Sequence, residues 1–131
     1  MSFRPQDLYD FAEEMMKSNP LPEMRIRTAI NRAYYAAYHD CKDWYDALPD
    51  TGHVPVADER KGTHAKFFAK LENPGDRLTT EQKAESIRRG RRLRRMHADR
   101  VTADYHQNSN VSQGSAAILM TDARNILAGR I

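Results

Sequence analysis

Apolar positions recur at spacings of three and four along nearly the whole chain, the period of helices buried on one side. Leu8, Phe11, Ala12, Met15 and Met16 predict a first helix from Pro5 to about Ser18. Pro5 suits an early helical position, where no backbone N–H is needed. Asn19-Pro20-Leu21-Pro22 then stops it, because two prolines so close cannot continue a helix. A long second helix is expected from Glu23 to about Leu48. Ile26, Ala29, Ile30, Ala33, Tyr34, Ala37, Tyr38, Cys41, Trp44, Tyr45 and Leu48 form its apolar surface. That surface is wide enough for neighbours on more than one side, so this helix is expected at the centre. Its tyrosines and tryptophan, at helical spacing, are read as core or interface side chains, with base stacking as the alternative.

Residues 49–62 read as a loop. Ala65, Phe67, Phe68 and Leu71 predict a short helix capped by Thr63, and Asn73-Pro74-Gly75-Asp76 reads as a turn. Thr79 or Thr80 is expected to cap a fourth helix, with Glu81 in its first turn and an end near Tyr105. Its apolar face is thin: Ala84, Ile87, Leu93, Met96, Val101 and Tyr105. Gly90 either weakens it, by about 1 kcal/mol relative to alanine, or permits a close helix contact. Ala116, Leu119, Met120, Ala123, Ile126 and Leu127 line a last helix over about 112–128. Alternating β-branched runs are missing, so strands are not expected. The pattern as a whole predicts one all-α domain over residues 1–131, an up-and-down bundle of four or five helices.

Composition adds three constraints. No apolar run approaches the ~20 residues of a membrane helix, and acids in MSFRPQDLYDFAEEMM stand where a signal peptide would be apolar. A cytoplasmic protein without membrane association is expected. A single cysteine, Cys41, excludes an internal disulfide and a cysteine-rich zinc site, and its place in a helical apolar pattern predicts a buried, inert thiol. No metal-ligand spacing is evident and no cofactor is implied. The net charge of +3 is modest, but its distribution is not. Seven arginines (88, 89, 91, 92, 94, 95 and 100) fall between Arg88 and His106, against two acids, Asp99 and Asp104. Arg88, Arg91, Arg92 and Arg95 lie on one side of a helix. They are either a solvated face or a surface tracking an RNA backbone, in which case binding weakens with salt.

Within this frame the chain resembles HEPN domains. The residues that carry the resemblance are Arg32-Ala33-Tyr34-Tyr35-Ala36-Ala37-Tyr38-His39 in the central helix, Thr63-His64-Ala65-Lys66-Phe67-Phe68, and Arg100-Val101-Thr102-Ala103-Asp104-Tyr105. The resemblance spans about residues 24–128. It implies a helical bundle that pairs as a homodimer. It also implies a metal-independent endoribonuclease, of the kind found in toxin–antitoxin and phage-defence systems, with an antitoxin or nucleotidyltransferase partner. The family hallmark is an Arg followed after four to six residues by a His, which assigns the catalytic roles to Arg100 and His106. Asp104 and Tyr105 are supporting residues of that motif. The tyrosine that a partner nucleotidyltransferase modifies in one branch of the family is replaced here by Asn108. The alternative carried by the same resemblance is a noncatalytic RNA-binding or protein-assembly module.

The bare motif has competitors. Arg91 and Arg92 before His97, and Arg32 before His39, also fit it. Arg32 and His39, seven residues apart, share a helix face and are supporting candidates for the same cleft, with Tyr35 between them. His64 is either a contributor to the same groove or, the reading favoured, a surface residue where its helix starts. Helix geometry adds a condition: on an unbroken helix Arg100 and His106 lie about 120° apart, so they converge only if the helix ends or distorts near His106. Spacing alone also allows an Arg100–Asp104 surface ion pair with His106 as a solvated cap.

Overall fold

The computed structural model describes residues 4–105 and 113–131, with side chains on the fourth helix described as far as Thr102. Five α-helices account for most of them: α1 Pro5–Met15, α2 Glu23–Asp46, α3 Thr63–Glu72, α4 Thr80–Tyr105 and α5 Gln113–Leu127. A single 3-10 turn, Val56–Asp58, interrupts the loop before α3. No strand occurs among the described residues, and the fold is an all-α bundle.

The helix α2 is central. It packs against α1, α4 and α5, and alanines make this crowding possible. Ala29, Ala33, Ala36 and Ala37 are sealed from solvent, as are Ala12 of α1 and Ala116 and Ala123 of α5. Small side chains on both surfaces bring helix axes close, and the larger Ile30, Tyr34, Leu93, Met96, Leu119 and Ile126 fill the space around them. The helix α3 lies on α4 and reaches α2 through rings: Tyr38 and Tyr45 meet Phe67 edge-on, with centroids 5.3 and 5.6 Å away.

The contacts set the chain directions. Arg89 of α4 pairs with Asp40 of α2 while Arg100 meets Tyr35, so the two helices are antiparallel. Ser86 donates to the Leu71 carbonyl while His97 packs on Phe68 and His64, so α3 and α4 are antiparallel too. The end of α4 therefore meets the start of α3 and the middle of α2. That meeting point is where the chemistry gathers.

At the helix ends one sequence expectation changes and one, the Thr79 cap of α4, holds. Thr63 is the first residue of α3 rather than its cap; Gly62 holds the cap position and no side chain caps the helix. The start of α4 is built as a reciprocal capping pair. The Thr79 hydroxyl accepts from the Gln82 backbone N–H at 3.1 Å, and the Gln82 side chain accepts from the Thr79 N–H at 2.9 Å. Cys41 is fully buried, and burial pushes its thiol up to about 11, which makes it inert.

Candidate functional site

The inward stripe of α4 is less apolar than the hydrophobic pattern suggested. Ser86, Arg89, Leu93 and Met96 are its buried side chains, and His97 and Arg100 continue the stripe towards the end of the helix at spacings of three and four. These last two face the aromatic middle of α2 and the first turn of α3.

Tyr34 organises the cluster. Its side chain is fully buried, and its hydroxyl lies 2.6 Å from Nδ1 of His64. Burial, with Tyr38 and Tyr35 nearby, holds its phenol well above the ordinary range, so it stays protonated. The His64 ring stacks on Tyr38 at 4.6 Å and on His97 at 5.3 Å. His97 in turn lies 5.6 Å from Tyr34 and 5.4 Å from Phe68. Both imidazoles are half-buried and both are pushed below the usual histidine range. Burial is the main cause for each. For His64 the nearby His97, Arg100 and His39 add to it; for His97, Arg100 and Arg94 do. Two neutral imidazoles at neutral pH follow. The tautomer of His64 decides its chemistry. With Nδ1–H donating to the phenol oxygen, Nε2 carries a lone pair and is a base; with the phenol donating, Nε2 carries a proton.

Arg100 borders this cluster. Its guanidinium donates to the Tyr35 hydroxyl at 3.1 Å and lies 5.2 Å from the centre of the Tyr35 ring. Tyr35 lies 5.9 Å from His64. Thus a fixed cation, a phenol and two neutral imidazoles meet at the junction of α2, α3 and α4.

The other expected site residues are spread more widely. His106 lies outside the described residues. Asp104 and Tyr105 belong to the last turn of α4, with side chains outside the described residues. His39 is exposed, its ring 6.1 Å from Tyr35 and 5.5 Å from Tyr38 at the outer edge of the cluster. Arg32, three residues before Tyr35, is also exposed. It bonds the Asn31 side chain at 2.8 Å and lines a surface groove with Asp7, Leu8 and Phe11.

The arginine-rich run also divides. Arg89, buried to 4% exposure, is tied to Glu85 at 2.8 Å and Asp40 at 3.2 Å, and lies 4.8 Å over the Trp44 ring. Arg94 pairs with Glu72, Arg95 with Asp122 at 2.9 Å, and Arg92 donates to the Arg130 carbonyl at 3.3 Å. Arg88 and Arg91 are exposed, with no such tie among the described residues. At ~100° per residue Arg91 lies about 180° round α4 from Arg100, Arg95 about 140°, Arg88 about 120° and Arg92 about 80°. Most of this face turns away from the imidazole cluster.

Tyr34 and His97 are the members that sequence reasoning missed, and His64 was weighed for the groove but set second to a surface role. His97 stood out only as a chance partner of Arg91 or Arg92. A signal was present: His97 is three residues before Arg100 and four after Leu93, on the buried stripe. No family model, curated protein or solved structure matches the chain. Among the described residues, no helix is long and apolar enough to cross a membrane.

Proposed function

We propose that this chain is a metal-independent endoribonuclease of HEPN type, with Arg100 as its phosphate-binding residue. The observation that supports it best is the place of Arg100, at the border of a cluster holding the Tyr34-bound His64 and the stacked His97. A guanidinium is suited to grip a phosphate and to stabilise charge that develops on it. A neutral imidazole held by a buried phenol is suited to proton transfer near pH 7.

In the proposed reaction His64, as the tautomer with Nδ1–H donating to Tyr34, takes the proton of a ribose 2′-OH at Nε2. The 2′-oxygen attacks the adjacent phosphorus while Arg100 holds the non-bridging oxygens. The bond from phosphorus to the 5′-oxygen breaks, and the leaving oxygen takes a proton from His106, the motif histidine. The products are a 2′,3′-cyclic phosphate and a 5′-hydroxyl. Two-fold pairing of chains would bring two copies of this arrangement into one cleft, with the motif contributed from both sides.

The test is the chemistry of the ends left on RNA by pure protein in a chelator. The expected result is cyclic phosphate on one fragment and hydroxyl on the other, no cleavage at a 2′-deoxy position, and large losses in His64→Ala and His106→Ala. Cleavage that survives at 2′-deoxy positions overturns the mechanism. RNA binding without any cleavage would leave the noncatalytic module as the better reading.

A further inference from the structure

Most of the arginine face of α4 turns away from Arg100, so a substrate strand held at the cluster needs another basic surface to run along. We infer that this surface is the groove between α2 and α3, and that it binds the phosphate backbone of single-stranded RNA next to the imidazole cluster. The inference rests on the RNA-directed reading of that cluster.

Two helix stripes build the groove. Thr63, Lys66, Phe67 and Lys70 lie on one face of α3, and Tyr38 and Lys42 face them from α2. Phe67 forms an apolar floor at 5% exposure. The Lys42 ammonium sits 5.7 Å above its ring. Lys42 also pairs with Asp46 at 3.0 Å, but both side chains are well exposed, and such surface pairs hold weakly. Neither Lys66 nor Lys70 is paired with an acid among the described residues. The groove therefore keeps a net positive charge that its own fold does not neutralise.

Its size and place select the ligand. A volume of about 180 Å³ is below the ~300–1,000 Å³ of sites that enclose a whole small molecule. Part of a polymer fits better than a captured metabolite. The groove also runs directly into the cluster: the Tyr38 ring stacks on His64 at 4.6 Å and meets Phe67 at 5.3 Å. One side chain is thus a wall of both. A strand whose scissile phosphate lies at Arg100 would pass Tyr38 and lay its next phosphates along Lys42, Lys66 and Lys70.

The experiment uses the full chain and a fluorescent, short, single-stranded RNA made uncleavable by 2′-deoxy substitution. Affinity is read by anisotropy over a range of salt concentrations. The variant Lys66→Gln/Lys70→Gln is compared with Arg88→Gln/Arg91→Gln; all four positions are at the surface, and circular dichroism checks the fold of each. The lysine variant is expected to bind at least about tenfold more weakly. The slope of log affinity against log salt should shrink by about 1.4, at ~0.7 per lost phosphate contact on a single strand. The arginine variant is expected to match the wild type. The reverse pattern, or equal losses in both, overturns the lysine groove and leaves the RNA reading standing. No RNA binding by the wild type, or binding of polyglutamate but not of RNA, overturns both. Lysine-dependent binding by a protein that never cleaves RNA supports the groove and removes only the nuclease.

Discussion

Arg89 and Arg100 come from the same arginine-rich segment and serve different ends. Arg89 is committed to the fold: two carboxylates, a sulfur and the Trp44 ring surround a guanidinium with almost no solvent contact. Burial raises Asp40 above the usual carboxylate range even though Arg89 pulls it down, so Asp40 depends on this partner. Arg89→Met should therefore destabilise the protein by about 3 kcal/mol, the lower end of the ~3–5 kcal/mol cost of leaving buried charges unpaired, because both carboxylates reach solvent in part. Urea unfolding followed by Trp44 fluorescence measures it. A loss below about 0.5 kcal/mol, the usual range for surface changes, would show that Arg89 is not the lynchpin its contacts imply. Nothing in the sequence separates Arg89 from Arg88 by composition. The difference lies in phase, since Arg89 shares the stripe of Leu93, Met96 and Arg100. The candidate site was legible in the same limited way. Arg100 stood out through its motif, but the Tyr34–His64 contact joins residues thirty positions apart, and no local pattern announces it.

At the scale of elements the hydrophobic pattern was a good guide. Each expected helix is present, with ends within a few residues of their expected places. The exception is the face of α4, where Ile87 and Ala84 are only half-buried while Ser86 and Arg89 are sealed. Polar residues can line a buried stripe when each has a partner; Ser86 has the Leu71 carbonyl at 2.6 Å. Gly90 shows which of its two sequence readings holds. A β-carbon there would lie 3.0 Å from the Leu71 Cβ, 3.1 Å from the Phe68 carbonyl oxygen and 2.8 Å from the Glu72 side chain. The glycine is the contact point of α3 and α4. Gly90→Ala gains about 1 kcal/mol of helix propensity yet should destabilise overall, since overpacking costs ~1–3 kcal/mol and two of the three neighbours are backbone or Cβ atoms. Thermal melting of the variant reads the balance, and a raised Tm would show that α3 yields freely.

For the whole molecule, the junction of three helices couples stability to pH. His64 and His97 are both held below the histidine range by burial and by neighbouring positive groups, with Arg100, Arg94 and His39 around them. The unfolded chain, with histidines near ~6.5, takes up protons before the folded chain does. The stability they contribute is complete above that value and is lost as pH falls through it towards the lower folded values. The Tm should drop from about pH 7.5 to about pH 5.5, and the drop should shrink in His64→Asn/His97→Asn, whatever the Tm of that variant at neutral pH. An unchanged pH slope would mean the imidazoles stay hydrated. The same junction carries the central claim, that its arginine works on RNA. The most direct measurement is the rate of RNA cleavage in a chelator by the wild type and by Arg100→Ala, purified in parallel. Loss of a transition-state contact of this kind predicts a fall of about 100-fold or more, with the variant still folded. Equal rates from the two proteins would contradict the account.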